Sequence, residues 1–339
     1  MQKTGIASLG KFNLIKRLTD TIECTQPSTL KGPGDDAAVL HHEQTETILS
    51  TKLFLEGIHF DLTYTPLKHL GYKTVIAGIS DIYAMNATPR QILLSTGLSK
   101  RFFVEDIDEL YDGVKTACVR YNLDLVGSDV APSMTGLAIS ITTTGEAPKE
   151  KIVYRSGGKK TDLLCLTGNL GAAYMGLQLL KREKQLFEGQ PDKQPQLEGF
   201  EYILQRYLKP EARKDIIDTM AAINLIPTAM INLSDGLASD ALHLCRQSQC
   251  GLRIYLERLP IASETFSIAD EMHLDAVTAA LNGGDDYELL FTAPISSYDI
   301  LRREMQNIDI IGHLCDPAEG AFLVTPDNQA IELRAQGWK

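Results

Sequence analysis

The chain has 339 residues and a formal net charge of −11, with 33 lysines and arginines against 44 aspartates and glutamates. Hydrophobic residues make up 44% and charged residues 23%, which is typical of a globular protein of about two domains and not of a disordered chain. The acidic balance argues against non-specific binding to DNA, RNA or anionic membranes. It does not exclude phosphorylated small molecules whose charge is screened by metal ions.

The N-terminal half alternates helical and strand patterns. Apolar residues at helical spacing predict helices at 8–22, 67–86 and about 104–121. Residues 31–40 form a glycine-containing loop that leads into a strand, and further strands are predicted at 48–51, 91–98, 123–126 and 137–143. A break near Ala147-Pro148-Lys149 divides the chain into an N-terminal domain, 1–147, and a C-terminal domain, 148–339.

The C-terminal half has the pattern of an α+β domain. Strands are predicted at 162–166, 230–233, 252–256, 287–292, 309–312 and 321–324. Helices are predicted at 170–181, 201–208, 211–223 and from about 237. Residues 182–199 are polar and contain prolines, so we expect a surface insertion there.

Targeting segments and the spacing of cysteines indicate the cellular compartment of a protein. The sequence has no run of about 18 apolar residues that would span a membrane, and its first residues lack the apolar core of a signal peptide. The six cysteines are scattered, without the close pairs of a zinc site or a redox dithiol. We therefore expect a cytoplasmic protein with reduced, buried thiols.

Acidic residues beside glycines carry most of the chemical information. They lie where predicted strands end or predicted helices begin: Asp35, Asp36, Asp81, Asp129, Asp235, Asp285 and Asp286. A single such aspartate is more often a helix cap or a turn former. Several that converge need neutralisation, and Mg²⁺ binds carboxylates together with substrate phosphates. The pattern therefore favours a pocket in which magnesium joins several of these carboxylates to substrate phosphates. The sequence has no P-loop and no dinucleotide-binding glycine motif, so a nucleotide site would be of another type.

Six short motifs occur in the order and spacing of one known family. They are residues 34–39, 80–85, 126–129, 154–157, 233–237 and 283–289. Together they make the whole chain resemble the thiamine-monophosphate kinases of the aminoimidazole ribonucleotide synthetase-like superfamily. The resemblance implies a two-domain α+β and α/β fold, with a dimerising, barrel-forming mixed sheet in the N-terminal domain and an α/β sandwich in the C-terminal domain. It also implies a homodimer that transfers the γ-phosphoryl group of ATP, with Mg²⁺, directly onto thiamine monophosphate.

Site residues follow from the resemblance position by position. Metal-binding positions match Asp36, Ser50, Thr51, Asp81, Asp129 and Asp235. Nucleotide-binding positions match Ser128, Asp129, Arg155 and Ser234, and substrate-binding positions match His59, Asp285 and Trp338. Each has a structural alternative: a salt bridge for Arg155, a packed or solvent-facing ring for His59, and a terminal hydrophobic plug for Trp338.

Several positions depart from the family pattern. Lys52 and Asn232 stand where the family usually has aspartates, Ser128 replaces a glycine, and Asp285 replaces a glutamate. The first two make the site more positive and weaken its hold on a cation. Lys52 could displace a metal, contact phosphate in its place, or reach solvent.

Two rival functions follow from these departures and from the superfamily. The first is a divergent paralogue that binds nucleotide or thiamine phosphate without efficient turnover. The second, ranked lowest, is another reaction of the superfamily, such as selenophosphate or aminoimidazole ribonucleotide synthesis.

Overall fold

The computed structural model of the chain describes residues 29–31, 35, 38–41, 45–189 and 196–336. The helix predicted at 8–22 lies outside these residues. Two sheets and nine α-helices make up the described part. None of these helices is both long enough and apolar enough to cross a membrane.

The N-terminal sheet is mixed and has the strand order β1-β2-β3-β6-β4-β5. Its strands are β1 (Thr29–Lys31), β2 (Ala38–His41), β3 (Glu46–Leu55), β4 (Thr88–Leu98), β5 (Asp124–Pro132) and β6 (Ala138–Ala147). Only the β4–β5 pair is parallel among the described strands. This open sheet confirms the mixed N-terminal sheet expected from the sequence, with β1 and β5 as its described edges.

Two 18-residue helices cover the inner face of this sheet, α1 (Leu67–Ala84) and α2 (Val104–Tyr121). From Leu70 onward every residue of α1 is buried. Most of these side chains are apolar or small, and the two charged residues among them, Lys73 and Asp81, form ion pairs. The helices approach closely at two glycines. A Cβ atom at Gly71 would lie 2.0 Å from the Leu110 carbonyl oxygen, and one at Gly113 would lie 1.9 Å from that of Lys68.

The C-terminal sheet has seven strands in the order β13-β12-β9-β11-β7-β10-β8. They are β7 (Leu163–Thr167), β8 (Ala229–Leu233), β9 (Gly251–Tyr255), β10 (Glu288–Ala293), β11 (Ile308–Cys315), β12 (Ala321–Val324) and β13 (Ala330–Glu332). Only β9 and β12 pair in parallel among them. β7, β8 and β10 are buried along their whole length, since the sheet is covered on both sides there.

Seven helices accompany this sheet. They are α3 (Ala172–Gly189), α4 (Glu201–Leu208), α5 (Lys214–Ala222), α6 (Leu237–Ser248), α7 (Ser263–Glu271), α8 (Ala276–Asn282) and α9 (Tyr298–Glu304). The largest apolar cluster joins both halves of the molecule, with Ile79 and Tyr83 of α1 in the same core as Met230 and Phe291 of the second sheet. The helix α1 therefore packs between the two sheets. The domain limits 1–147 and 148–339 remain a prediction.

Several elements differ from the sequence-based expectation. Asp81 lies within α1 and Asp129 within β5, although both were expected at the ends of elements. Residues 182–189 of the expected insertion at 182–199 continue α3 as far as Gly189, since lysine, glutamate, glutamine and leucine favour helix. The short helices α7, α8 and α9 were not predicted.

Candidate functional site

The Asp81 carboxylate lies where the two sheets meet. It projects from α1 and is 3% exposed. Its Oδ2 accepts a hydrogen bond from Ser50 Oγ at 2.6 Å and forms an ion pair with Lys52 Nζ at 2.8 Å, both on β3. Its Oδ1 accepts a hydrogen bond from Asn232 Nδ2 of β8 at 2.9 Å. Donors from both sheets thus surround one buried carboxylate.

A buried lysine, Lys73, lies two turns before Asp81 on the same helix, roughly 12 Å along its axis. Lys73 Nζ donates to Asp285 Oδ2 at 2.8 Å and lies 4.0 Å from the centre of the Tyr207 ring. Tyr287 OH donates to the other oxygen of Asp285 at 3.1 Å, and burial raises the pKa of this phenol. Lys73 and Tyr287 therefore fix the Asp285 carboxylate, whose side chain is 40% exposed.

The loops that carry Asp235 and Asp285 are held against each other. The main-chain N–H groups of Ser234 and Asp235 both donate to Asp240 Oδ2 at 3.1 Å. The Asp285 N–H donates to the Ser234 carbonyl at 3.0 Å. At Gly284, with φ +72°, a Cβ atom would lie 2.7 Å from the same carbonyl, so only glycine permits this approach.

A buried charge network supports this loop from below. The Asp286 carboxyl accepts a hydrogen bond from the Gly171 N–H at 3.2 Å and lies 3.7 Å from the Arg206 guanidinium. Glu288 lies between Arg206, at 3.0 Å, and Arg213, at 3.4 Å. Complete burial outweighs the nearby arginine and raises the pKa of Asp286 to about 7.

Arg155 pairs with Asp35. Its main-chain N–H donates to Asp35 Oδ1 at 2.9 Å, and its Nε lies 3.9 Å from the same oxygen. The Arg155 side chain is 18% exposed, so this ion pair is largely shielded from solvent. The pair joins the loop before β2 to the loop before β7.

Ser128 and Asp129 are exposed on the edge strand β5. Ser128 pairs in register with buried Leu94 and its Oγ is 2.5 Å from Tyr111 OH, whereas Asp129 pairs with exposed Ser95. Because successive side chains of a strand point to opposite faces, Asp129 faces away from the helices. The structure therefore does not bring Asp129 to Asp81.

Thr51 and His59 are also exposed. Thr51 Oγ1 donates to the Ile141 carbonyl at 3.1 Å, and His59 Nδ1 accepts from the Leu55 N–H at 3.0 Å. The His59 ring lies edge-on to Phe54, with centroids 6.0 Å apart. Asp36 and Trp338 lie outside the described residues.

Magnesium does not fit at Asp81. An octahedral ion needs free oxygen lone pairs at about 2.0–2.1 Å, but here an ammonium, an amide and a hydroxyl already approach both carboxylate oxygens. Over the described part of the chain, no three acidic, histidine or cysteine side chains group as metal ligands. Asp235, whose Oδ2 accepts from Ser234 Oγ at 3.0 Å, has the oxygen chemistry of a ligand but no such group around it.

Sequence reasoning missed three supporting side chains, Lys73, Tyr287 and Arg206. Lys73 left a signal, since it is the only charged residue in the stretch 70–80 of a predicted helix, and a buried lysine needs a partner. Tyr287 and Arg206 left none, because their roles depend on partners supplied by the fold.

Comparisons with known proteins agree with this architecture. A family model described as AIR synthase related protein, N-terminal domain, matches residues 34–147. The fold, with its mixed sheet and buried helix beside glycine–aspartate loops, is that of the AIR synthase-related class.

Relatives that match over nearly the full length of the chain identify one family within this class. The chain is 32% identical to the thiamine-monophosphate kinase of Aquifex aeolicus (strain VF5), over 98% of this chain and 99% of that protein. It is 30% identical to the enzyme of Escherichia coli (strain K12), over 97% of both chains. The solved structure of AaThiL complexed with AMPPCP and TMP matches with a TM-score of 0.84 and 29% identity, over 100% of this chain and 99% of that one. The chain belongs to the thiamine-monophosphate kinase family.

Proposed function

We propose that the protein phosphorylates thiamine monophosphate with ATP, giving thiamine diphosphate and ADP. One observation carries this proposal: the fold matches AaThiL, complexed with AMPPCP and TMP, over the whole chain. AMPPCP is an unreactive ATP analogue, so that complex holds an analogue of the donor together with TMP, which we take as the acceptor. Family membership over nearly the full length supports the same reaction.

The reacting groups meet, in this proposal, beside the loops at Asp235 and Asp285. Ser128, Arg155 and Ser234 contact the nucleotide, and His59, Asp285 and Trp338 contact the thiamine phosphate. Asp129, on the opposite face of β5 from Ser128, is left out of this set. The positions of Ser234 and Asp285 on touching loops support a shared cleft, since donor and acceptor must lie close for in-line transfer.

Transfer is direct and needs no phosphoenzyme. Phosphoryl transfer relies on positioning and charge neutralisation rather than on covalent catalysis. In this proposal the Arg155 guanidinium supplies a fork for phosphate oxygens, and the Asp285 carboxylate, held by Lys73, orients the acceptor. Mg²⁺ enters as the counter-ion of ATP, and when bound it neutralises phosphate charge. Asp36 and Asp235 remain its proposed ligands, whereas Ser50 and Asp81 are engaged as described above and Thr51 and Asp129 lie on the outer face of the sheet.

The proposed molecule is a cytoplasmic homodimer paired through its N-terminal sheets. Large apolar side chains are exposed on the outer face of this sheet, with Leu53 56% and Leu93 42% exposed. The neighbouring edge strand β5 has exposed side chains along most of its length. A second copy would bury this surface, and contiguous exposed apolar patches typically mark such interfaces.

The rival function, ligand binding without efficient turnover, is favoured by one observation. The Lys52 ammonium forms an ion pair with the Asp81 carboxylate, which matches a metal-binding position of the family. This rival predicts calorimetric binding of AMPPCP with negligible ADP formation, and a large gain in activity when Lys52→Asp, Ser128→Gly and Asn232→Asp are combined.

A coupled ADP-release assay across a Mg²⁺ titration separates these functions. We expect ADP formation that requires both thiamine monophosphate and Mg²⁺ at a steady rate over many turnovers. ADP release that is equal with and without thiamine monophosphate would refute the proposed acceptor. Folded protein that binds AMPPCP but releases no ADP would establish the rival.

A further inference from the structure

Two departures from the family pattern, far apart in sequence, meet on one carboxylate. Lys52 lies on β3 and Asn232 on β8, yet they hold the two oxygens of Asp81 at 2.8 and 2.9 Å. We propose that the Lys52 ammonium and the Asn232 amide together replace a divalent cation at Asp81, so that this chain binds one metal ion fewer than a chain with aspartates at both positions.

The Asn232 side chain is oriented by its partner. A carboxylate can only accept hydrogen bonds, so the amide must turn Nδ2 towards Asp81. An aspartate in the same place would set two carboxylates about 3 Å apart, and they could not both stay ionised without a cation between them. Asparagine turns that repulsion into a hydrogen bond.

The Lys52 side chain supplies the charge that a metal would otherwise bring. Ser50 and Lys52 are two residues apart on one strand, so both side chains point to the face on which Asp81 lies. Asp81 and Asn232 are 3% and 1% exposed, and a buried carboxylate without a cation is strongly unfavourable. The ammonium at 2.8 Å provides a single positive charge at this place.

The Lys52 side chain is also more accessible to solvent than the carboxylate that it contacts. The Lys52 side chain is 28% exposed, whereas that of Asp81 is 4% exposed. An ion arriving from solvent therefore meets a positive charge before it reaches an oxygen ligand. Electrostatic repulsion and occupied lone pairs act together against a divalent ion at Asp81.

The inference rests on the proposed function in one respect, because it counts the metal ions that bind together with the nucleotide. Metal ions can be counted without turnover by titrating Mn²⁺ against the protein in the presence of AMPPCP and following the free ion by EPR. We expect the Lys52→Asp/Asn232→Asp double variant to bind one more Mn²⁺ per chain than the wild type. Equal numbers bound with equal affinity would overturn the inference.

A milder variant covers the case in which the double variant fails to fold. Lys52→Met removes the charge and keeps the length of the side chain, so Asp81 loses its cation. In EDTA we expect this variant to have a lower melting temperature than the wild type. Mg²⁺ should raise the melting temperature of the variant but not that of the wild type to a comparable extent. Lys115→Met, at an exposed position of α2, is the matched control and should change neither value.

Melting of Lys52→Met at the wild-type temperature in EDTA would contradict the role of the ammonium. Neither measurement depends on activity. A wild type that makes thiamine diphosphate but binds as many ions as the double variant refutes only this inference. A wild type that binds one ion fewer but transfers no phosphoryl group refutes only the proposed function.

Discussion

Asp286 is a completely buried carboxyl below the loop that presents Asp285. Burial is the main cause that raises its pKa from the ordinary value of 3.8 to about 7, against the lowering effect of Arg206 and of the Gly171 N–H. Between these two values the folded protein binds more protons at this group than the unfolded chain does. Its contribution to the free energy of unfolding is therefore complete below about pH 4 and is lost as the pH rises through about 7.

Asp286→Asn should remove this pH dependence, because the amide imitates the protonated carboxyl at every pH. We expect the free energy of unfolding of the wild type to fall more steeply between pH 5 and pH 8 than that of the variant. Urea denaturation at several pH values measures both slopes. Parallel curves would show that Asp286 does not titrate in this range.

Lys73 holds the Asp285 carboxylate from the buried side. Lys73→Met removes the donor at 2.8 Å, and a hydrogen bond to a charged group is worth about 1.5–3 kcal/mol. Because Asp285 is partly exposed, we expect the lower end of this range, a roughly tenfold rise in the KM for thiamine monophosphate. Steady-state kinetics at saturating ATP measure it.

The control for this change is Lys209→Met. In the wild type Lys209 Nζ lies 5.4 Å from the centre of the Tyr72 ring, and Lys209 has no role in holding Asp285. Unchanged values of both KM and kcat in Lys73→Met would remove Asp285 from the acceptor site. A fall in kcat alone would place its effect on the transfer step instead of on binding.

The sequence motifs named single residues, Asp81 in the segment 80–85 and Asp285 in the segment 283–289, but not the side chains that hold them. The functional roles given to these residues remain predictions. The Asn232–Asp81 bond spans 151 positions and the Lys73–Asp285 bond spans 212, and no local pattern in one sequence encodes such pairs. The predicted convergence of Asp81 with Asp129 failed to allow for the alternation of side chains along β5.

At the scale of elements, the crossing of α1 and α2 is fixed by two glycines. A Cβ atom at Gly113 would lie 1.9 Å from the Lys68 carbonyl oxygen, which belongs to the backbone and cannot swing aside. The backbones of the two helices therefore touch at this point. The close approach places α1, with Asp81 and Lys73, between the sheets.

Gly113→Ala should destabilise the protein although alanine favours helix by about 1 kcal/mol. We expect the free energy of unfolding to fall by about 1–3 kcal/mol, because the helices must move apart. Chemical denaturation measures the change. Thr116→Ala, exposed on the same helix, is the control and should be neutral or slightly stabilising.

Helices with clear amphipathic spacing were predictable, whether long or short. The helix α2, with 18 residues, and the helix α4, with eight, have the predicted limits because amphipathic spacing continues through each of them. The helices α7, α8 and α9, with seven to nine residues, were not predicted. β5 extends to Pro132 because tertiary pairing with β4 overrides a weak local preference.

At the scale of the whole molecule, the outer face of the N-terminal sheet defines the proposed dimer. Leu53→Glu combined with Leu93→Glu places charges on that face, so the two copies should no longer associate. Sedimentation equilibrium should show a dimer for the wild type and a monomer for the double variant. Leu186→Glu, at an exposed leucine of α3, should leave the dimer intact.

A wild-type monomer at micromolar concentration would contradict the proposed interface. So would a double variant that stays folded and dimeric. Either result would show that a second copy of this chain does not cover the exposed apolar residues of β3 and β4.

Direct transfer of the γ-phosphoryl group to thiamine monophosphate is the central claim, and a single-turnover experiment with γ-³²P-ATP tests it most directly. We predict that the label passes from ATP to thiamine diphosphate, in equal amount to the ADP formed, and that none stays on denatured protein. Label recovered as inorganic phosphate, or unchanged as bound ATP, would contradict the account.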